Sequence, residues 1–337
     1  MYTENLPLPA SAIVAPGASF TPSLMGGDVD RLIATYTANL VNVVDSSRAT
    51  YARALRGFFA FVEEEGITTA PTRGTIAAYK RYLMEAIKAG TYSALTVCSY
   101  LNAVRGFFSW TEGEGLYPNI AKGVKSPKHT TAHKKQHLEA DKVKELLTHY
   151  AEEGTPTALR DYAIANLLVR TGLRTAELVG ANIEDIAYIG STRVLWIKGK
   201  GHTEKDAYVV LTEKAYAPIR EYLSTRPLAR PTEPLFISTS NHRARTEGEG
   251  TTARLTTRTI RNIAREGLDS IGLDDKAFTA HSLRHTTAVM ILEAGGVLDD
   301  VQAQLRHASP TTSRIYVESF NKGKQLTKIN NALDMAF

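Results

Sequence analysis

Residues 122–137 read KGVKSPKHTTAHKKQH and hold five Lys, three His, one Pro and no acidic residue. A polar run of this kind makes a linker, and it divides the 337-residue chain into two parts. Each part is long enough to close a hydrophobic core of its own. Before the linker, residues 1–26 carry four Pro and little periodicity, which predicts a loose arm, and residues 27–121 form a first domain. After it, residues 138–337 form a second. A flexible basic strand between two globular parts suits a polyanionic partner, with Lys125, Lys128, Lys134 and Lys135 as its candidate phosphate contacts.

Composition narrows the classes. Hydrophobic residues make up 43% and charged residues 22%, ordinary for a globular chain. No apolar run approaches the roughly 18 residues that a membrane span needs. The N-terminus has no basic region followed by an apolar stretch, so no secretory signal is expected. The single Cys98 forms no internal disulfide and fits a reducing cytoplasm, the expected location. No Cys/His cluster has zinc spacing, and no Gly-x-x-x-x-Gly-Lys-Ser/Thr loop occurs. Neither metal, nucleotide nor other cofactor is expected. A net charge of +5 and a pI of about 9.1 add a mild preference for a polyanion.

The first domain reads as four helices. Leu32, Ile33, Tyr36, Leu40, Val43 and Val44 step at three and four residues. Ser46-Ser47 offers an N-cap for a second helix carrying Tyr51, Leu55, Phe58, Phe59 and Val62. The third runs over about 75–88 and the fourth over about 93–110, with Gly66, Gly90 and Gly113 near their ends. The aromatic residues fall on buried stripes and read as core. Arg48, Arg53, Lys80, Arg81 and Arg105 are candidate phosphate contacts.

In the second domain, 138–154 and 157–170 read as amphipathic helices. Thr171-Gly172 ends the latter, and Arg174 follows at once, with Glu177 placed to orient it or to stabilise a helix start. Two or three strands come next, among them 193–197 and 207–211, joined by KGKGHTEKD. A helix over about 212–225, a polar loop over 238–251 and a helix over 256–270 lead on; Arg243, Arg245, Arg254 and Arg258 are further candidates to contact a polyanion.

The chemistry concentrates in Thr279 to Tyr316. His281 and Arg284 lie three apart on a helical segment and share a face, with His285 beside them. Gly295-Gly296 ends that helix; a short one over Val297, Leu298, Val301 and Leu305 delivers His307; and Ser309-Pro310 reads as N-cap and first position of a helix carrying Tyr316. Arg presents a flat fork that matches two phosphate oxygens, His moves protons near neutral pH, and Tyr becomes a nucleophile once a base takes its proton. The set suits chemistry on a phosphodiester. A short amphipathic pattern follows in the tail: Leu326, Ile329, Leu333, Met335.

HSLRH, then LRH, then a Tyr nine residues on resembles the C-terminal signature of the tyrosine recombinases, the phage-integrase and Xer-like family. Arg306 stands where that family usually has Gly. TGLRTAEL resembles the family box that supplies the first phosphate-clamping Arg, and KGKG resembles a β-hairpin whose Lys sits between two Gly, here Lys200, with Lys198 and Lys205 as competitors. SRATYARALRGFFAFVEEEG and YLNAVRGFFSWTEGEGLYPNIAKGVKSPK resemble the first and last helices of its core-binding domain.

The resemblance implies a mainly α fold with a small β-sheet. A helical N-terminal core-binding domain and a mixed α/β catalytic domain would form a clamp on DNA. It implies six active-site residues: Arg174, Lys200, His281, Arg284, His307 and Tyr316. Tyr316 would attack a DNA phosphate to give a 3′-phosphotyrosyl link, and the 5′-hydroxyl of a partner strand would then attack that link. Arg174 and Arg284 would hold the phosphate oxygens, Lys200 would protonate the leaving oxygen, His281 would help deprotonate Tyr316, and His307 would hydrogen-bond the phosphate. The implied partners are double-stranded DNA with a specific recombination site and, through the tail, three further copies in a homotetramer, with no membrane and no nucleotide. The rivals are a catalytically silent DNA-binding accessory protein and a type IB topoisomerase-like nicking-closing enzyme.

Overall fold

The structure is a computed structural model that describes residues 29–41, 43–67, 70–128, 136–151, 154–199, 204–238, 253–306 and 310–334. Lys134, Lys135, Lys200, Arg243, Arg245, His307, Ser309 and the arm over 1–26 lie outside them. The chain is mostly helical with one small sheet, and it separates into two compact units, Met1–Thr131 and Ala132–Phe337.

The first unit holds α1 (Val29–Ala38), α2 (Asp45–Glu64), α3 (Arg73–Lys88) and α4 (Ala94–Gly113). Their apolar stripes meet in one core: Ile33 and Tyr36 face Leu55, Phe58, Phe59 and Val62, which pack on Ile76, Tyr79, Leu83, Leu101, Phe107 and Phe108. Phe58 sits at the centre, edge-on to Phe59, Tyr79 and Phe108 at 5.1–5.7 Å, an arrangement that aligns ring edges with ring faces. Thr72 and Thr75 form a capping box on α3, and Ser93 caps α4 through the Thr96 amide at 3.0 Å. The start of α2 differs from the expectation. Val44 is the N-cap and gives no side-chain bond, so Ser46 and Ser47 already lie inside the helix. Arg48 fixes that start instead, donating to the Leu40 carbonyl from Nη2 at 2.9 Å and to Asp45 at 3.2 Å.

The second unit begins with α5 (Ala140–Ala151) and α6 (Pro156–Thr171), which Thr155 caps and Gly172 ends in the left-handed region at φ 63°. After α7 (Thr175–Val179) come β1 (Ile186–Ile189), β2 (Thr192–Ile197) and β3 (Ala207–Val210), an antiparallel meander in the order β1-β2-β3. The register places Leu195 opposite Val209 on the buried face and Trp196 opposite Tyr208 on the other. Then follow α8 (Glu213–Ser224), α9 (Thr257–Ser270), α10 (Ala280–Glu293), α11 (Leu298–Leu305) and α12 (Pro310–Asp334). One core joins α5, α6, α8, α9 and the sheet, and a smaller one packs Ala288 and Leu292 with Val301, Leu305 and Tyr316. The tail is no separate element: α12 starts at Pro310, as its fixed φ favours, and runs from Tyr316 through Leu326, Ile329 and Leu333 without a break.

Candidate active site

Three short segments of the second unit converge: the turn after α6, the buried face of α10, and the end of α11. Gly172 makes the first turn. Its φ of 63° suits a residue without a Cβ, and a Cβ there would lie 2.4 Å from Leu305 Cδ2. The close approach lets one guanidinium bridge two loops. Arg284, 2% exposed on α10, donates from Nη1 to the Gly172 carbonyl and from Nη2 to the Leu305 carbonyl. Thr287, one turn on, donates to the Val169 carbonyl at 2.6 Å and locks α10 against α6.

Arg174 follows Gly172 by two residues and is the N-cap of α7. Glu177 holds it twice: Oε2 accepts from the Arg174 amide at 2.7 Å, and Oε1 accepts from Nη1 at 2.6 Å. The same carboxylate accepts from Arg306 Nη2 at 2.8 Å. Burial pushes the Glu177 carboxyl up, but the Arg306 charge, the Arg174 amide and the Arg174 guanidinium outweigh it and hold the group below the usual carboxylate range. Arg284 is moved the other way. Burial, with the like charge of Arg174, brings its guanidinium down to about 10.

Tyr316 is 2% exposed and packs beside Leu305 and Leu292. Burial raises its phenol above the ordinary value, while the Arg284 and Arg174 charges and a hydrogen bond with Arg284 pull it back. The His285 ring lies 4.7 Å from the Tyr316 ring, centroid to centroid, and 5.6 Å from that of His137. His281 is exposed and lines a cleft of about 670 Å³ with Arg174, Arg284, Arg261, Asn262 and Thr279. Arg265 borders the same cleft but is committed to Asp269 at 2.8 Å and to the Asp275 carbonyl at 3.0 Å, where it shapes the approach to α10.

Arg174, His281, Arg284 and Tyr316 are thus brought together, while Lys200 and His307 lie outside the described residues. The hairpin between β2 and β3 still separates its lysines. Lys205 is bound to the buried Asp185 carboxylate at 2.5 Å, which makes it a structural tie, whereas Lys198 is exposed. Arg254 likewise serves the fold, donating to the Val179 and Ala181 carbonyls. In the first unit, Arg105 pins the start of the linker, reaching the Val124 carbonyl at 2.6 Å and Ser126 at 3.2 Å. The side chains of Arg53, Lys80, Lys125 and Lys128 make no hydrogen bond or ion pair among the described residues. The sequence reading missed Arg261 and Asn262. Their signal is the spacing 258, 261, 262, 265 on α9, which puts four polar residues on one helix face.

The arrangement offers a cleft with two guanidiniums, a buried hydroxyl near them and an exposed imidazole at the rim. Among the described residues no group of His, Cys, Asp and Glu is placed to hold a metal ion, and no helix is long and apolar enough to cross a membrane.

The model of the Phage integrase family matches residues 136–322. Tyrosine recombinase XerC of Corynebacterium glutamicum is 33% identical over 165 residues, 49% of this chain and 48% of that protein. XerC of Serratia marcescens is 27% identical over 270 residues, 80% and 83% of the two chains. Several such matches span about half the length of the relative. Among solved structures, XerH site-specific recombinase bound to palindromic difH substrate, in a post-cleavage complex, gives a TM-score of 0.67 at 20% identity, over 92% of this chain and 90% of that one. A lambda integrase dimer bound to a COC′ core site gives 0.58 at 16%, over 84% and 96%. At these identities the structural likeness is one of fold.

Proposed function

The chain belongs to the phage integrase family, and from that premise we propose that it is a site-specific recombinase that cuts and rejoins double-stranded DNA through Tyr316. The observation that carries the reading is a cleft lined by Arg174, Arg284 and His281, with Tyr316 buried where the charges of the same two arginines act on its phenol. A phosphodiester seated in that cleft lies against Arg174 and Arg284, with Tyr316 buried behind them.

The steps are these. The Tyr316 oxygen attacks the phosphorus, and its proton passes to His281 or to solvent. An O–P bond forms to tyrosine and the bond to the 5′-oxygen breaks. Lys200 gives that oxygen a proton. Arg174 and Arg284 stabilise the charge on the five-coordinate transition state, each such donor being worth roughly 3–4 kcal/mol. His307 hydrogen-bonds the phosphate. The 5′-hydroxyl of a partner strand then attacks the phosphotyrosine and releases Tyr316, so the bond energy is conserved through a Holliday junction. In the first unit, Arg53, Lys80, Lys125 and Lys128 contact the DNA backbone.

Strand exchange joins two duplexes and needs four copies. The α12 stripe of Leu326, Ile329 and Leu333, exposed at 57%, 46% and 55%, supports the tail as the contact between them. The task served is integration or excision of a mobile element, or resolution of DNA dimers.

The test is covalent trapping. A duplex that this chain selects from a random-sequence pool is nicked so that cleavage releases a short fragment, and the products run on a denaturing gel. A protein–DNA band with the wild type and none with Tyr316→Phe is expected. Binding without a band in both proteins sinks the reading in favour of a silent DNA-binding protein, and relaxation of supercoils without any selected site moves it to a nicking-closing enzyme.

A further inference from the structure

Arg306 is the one residue other than Gly with a positive φ among the described residues, at 53°. It ends α11 in a conformation that L side chains rarely adopt. A glycine would hold this turn with less strain, yet the side chain present is long, charged and largely buried, 13% exposed. It turns inward: Nη2 donates to Glu177 Oε2 at 2.8 Å and Nη1 to the Gln304 carbonyl at 2.6 Å, while Nε is buried with no hydrogen-bond partner among the described residues.

The carboxylate it reaches is the one that holds Arg174. Taken alone, Arg174 and the buried Glu177 neutralise each other, and a phosphate would compete with a bound carboxylate for the same guanidinium. With Arg306 on the second oxygen, the cluster of Arg174, Arg284, Arg306 and Glu177 carries three positive charges and one negative. The two unmatched charges equal the double negative charge of a phosphodiester under attack by a phenolate. We propose that Arg306 is a positioning residue of the phosphate clamp: it takes up half of the Glu177 carboxylate, so that Arg174 is aimed by Glu177 without being neutralised by it. The role rests on the recombinase reading above and adds a residue to its machinery.

The groups around Glu177 limit the alternatives. On its own turn it meets only Arg174; α10 brings Arg284, which acts on it through space, and the end of α11 brings Arg306, which bonds to it directly. From α9, which also packs on α7, Arg261 and Arg265 reach the cleft, and Arg265 is spent on Asp269. No other cation among the described residues bonds to the Glu177 carboxylate.

The test compares Arg306→Gln, Arg306→Lys and Arg306→Gly in the full chain, on the selected nicked duplex, with DNA binding read separately. Arg306→Gln is expected to bind the duplex as the wild type does and to form the covalent adduct roughly 10- to 100-fold more slowly, the scale of a misplaced catalytic group. The ratio of its rate to the wild-type rate falls as pH is lowered, because the Glu177 carboxyl has lost its main counter-charge and takes up a proton earlier. Titrations common to both proteins cancel in that ratio. Arg306→Lys recovers most of the rate; Arg306→Gly, with a relaxed backbone and no charge, behaves as Arg306→Gln does. Equal adduct rates in wild type, Arg306→Gln and Arg306→Gly, with superimposed pH profiles, overturn the proposal. So does a loss in Arg306→Gln that is the same at every pH and is not restored by Lys. A wild type that binds and forms no adduct removes the recombinase reading instead. In that case the melting temperature against pH without DNA still decides whether Arg306 governs Glu177: the acid loss moves to higher pH in Arg306→Gln, or it does not.

Discussion

Replacing Gly172 by Ala tests the turn on which the site hangs. Two costs follow from the structure. An L residue at φ 63° pays about 1–2 kcal/mol for the left-handed conformation. The new Cβ would also lie 2.4 Å from Leu305 Cδ2 and 3.3 Å from Thr287 Oγ1, and overpacking of this kind costs about 1–3 kcal/mol. Together they destabilise the second unit by about 2–5 kcal/mol, or roughly 4–20 °C in Tm for a unit of this size. Gly190→Ala is the control. Its φ is 59° with nothing within 4 Å, so it bears the first cost alone. The gain from a stiffer unfolded chain is common to both variants and cancels in the difference. The chain has two Trp, one in each unit, so a Trp110→Phe background leaves Trp196 to report the second unit in urea or heat. The expected difference between the two alanine variants is about 1–3 kcal/mol. Gly172→Ala also moves both carbonyls that hold Arg284, and adduct formation well below the Tm should drop by about 10²–10³-fold, the value of one transition-state donor. A Gly172→Ala protein as stable as Gly190→Ala, and as active as wild type, refutes the packing at Leu305.

Further outcomes follow from the same geometry. Glu177→Gln leaves three guanidiniums around a neutral amide and should cost about 3–5 kcal/mol in the Trp196 assay; a loss below about 1 kcal/mol means that solvent already compensates those charges. Because the folded Glu177 carboxyl is depressed, its stabilisation is complete above the unfolded value of about 4.3 and is lost as pH falls through the folded one, so the wild type should show an acid limb that Glu177→Gln lacks. Lys205→Met should destabilise the second unit and leave the leaving-group step alone, whereas Lys200→Met should slow cleavage on normal DNA and be rescued by a 5′-sulfur leaving group, which needs no proton; rescue of Lys205→Met reverses the assignment. Ending the chain after Gln325 removes Leu326, Ile329 and Leu333, which are exposed, so the melting curve should shift by less than about 0.5 kcal/mol while junction formation between two duplexes is lost; a large melting shift means that the stripe folds back on its own unit.

The helices of the first unit were readable because their apolar residues recur at three and four, and burial later took the same positions: Leu55, Phe58, Tyr79, Phe107. Caps were less legible. Thr72 and Ser93 bond as their type suggests, but at Val44 a tertiary tie from Arg48 overrode the pair of serines. In the second unit β1 was hard to see, since Ile186–Ile189 is four residues long and half of it faces outward. His281, Arg284 and Tyr316 could be placed as types at spacings and Arg174 by the resemblance of TGLRTAEL to a family box, yet two facts needed coordinates. One is that Gly172 touches Leu305, residues far apart in sequence. The other is that Arg306 takes a glycine's conformation to reach Glu177. Neither a long-range contact nor a φ angle leaves a periodic trace.

The burial of Tyr316 bears on why the site needs a base as well as its arginines. The charges of Arg284 and Arg174 are what draw the phenol back from the high value that burial alone would give it. Those same two guanidiniums are the ones a phosphodiester would occupy. A bound phosphate, itself negative, cancels much of their pull, so the nucleophile becomes harder to ionise at the moment it is wanted. Arginine charge therefore serves the free site more than the loaded one, and a separate proton acceptor has to act within the complex. His281 at the rim of the cleft and His285 against the Tyr316 ring are the imidazoles within the described site. His285 is 1% exposed and packs ring to ring, which fits it to fix the orientation of the phenol, whereas His281 opens to solvent and can pass a proton on. Under the recombinase reading proposed above, these electrostatics order the steps as phosphate first, proton loss second, attack third.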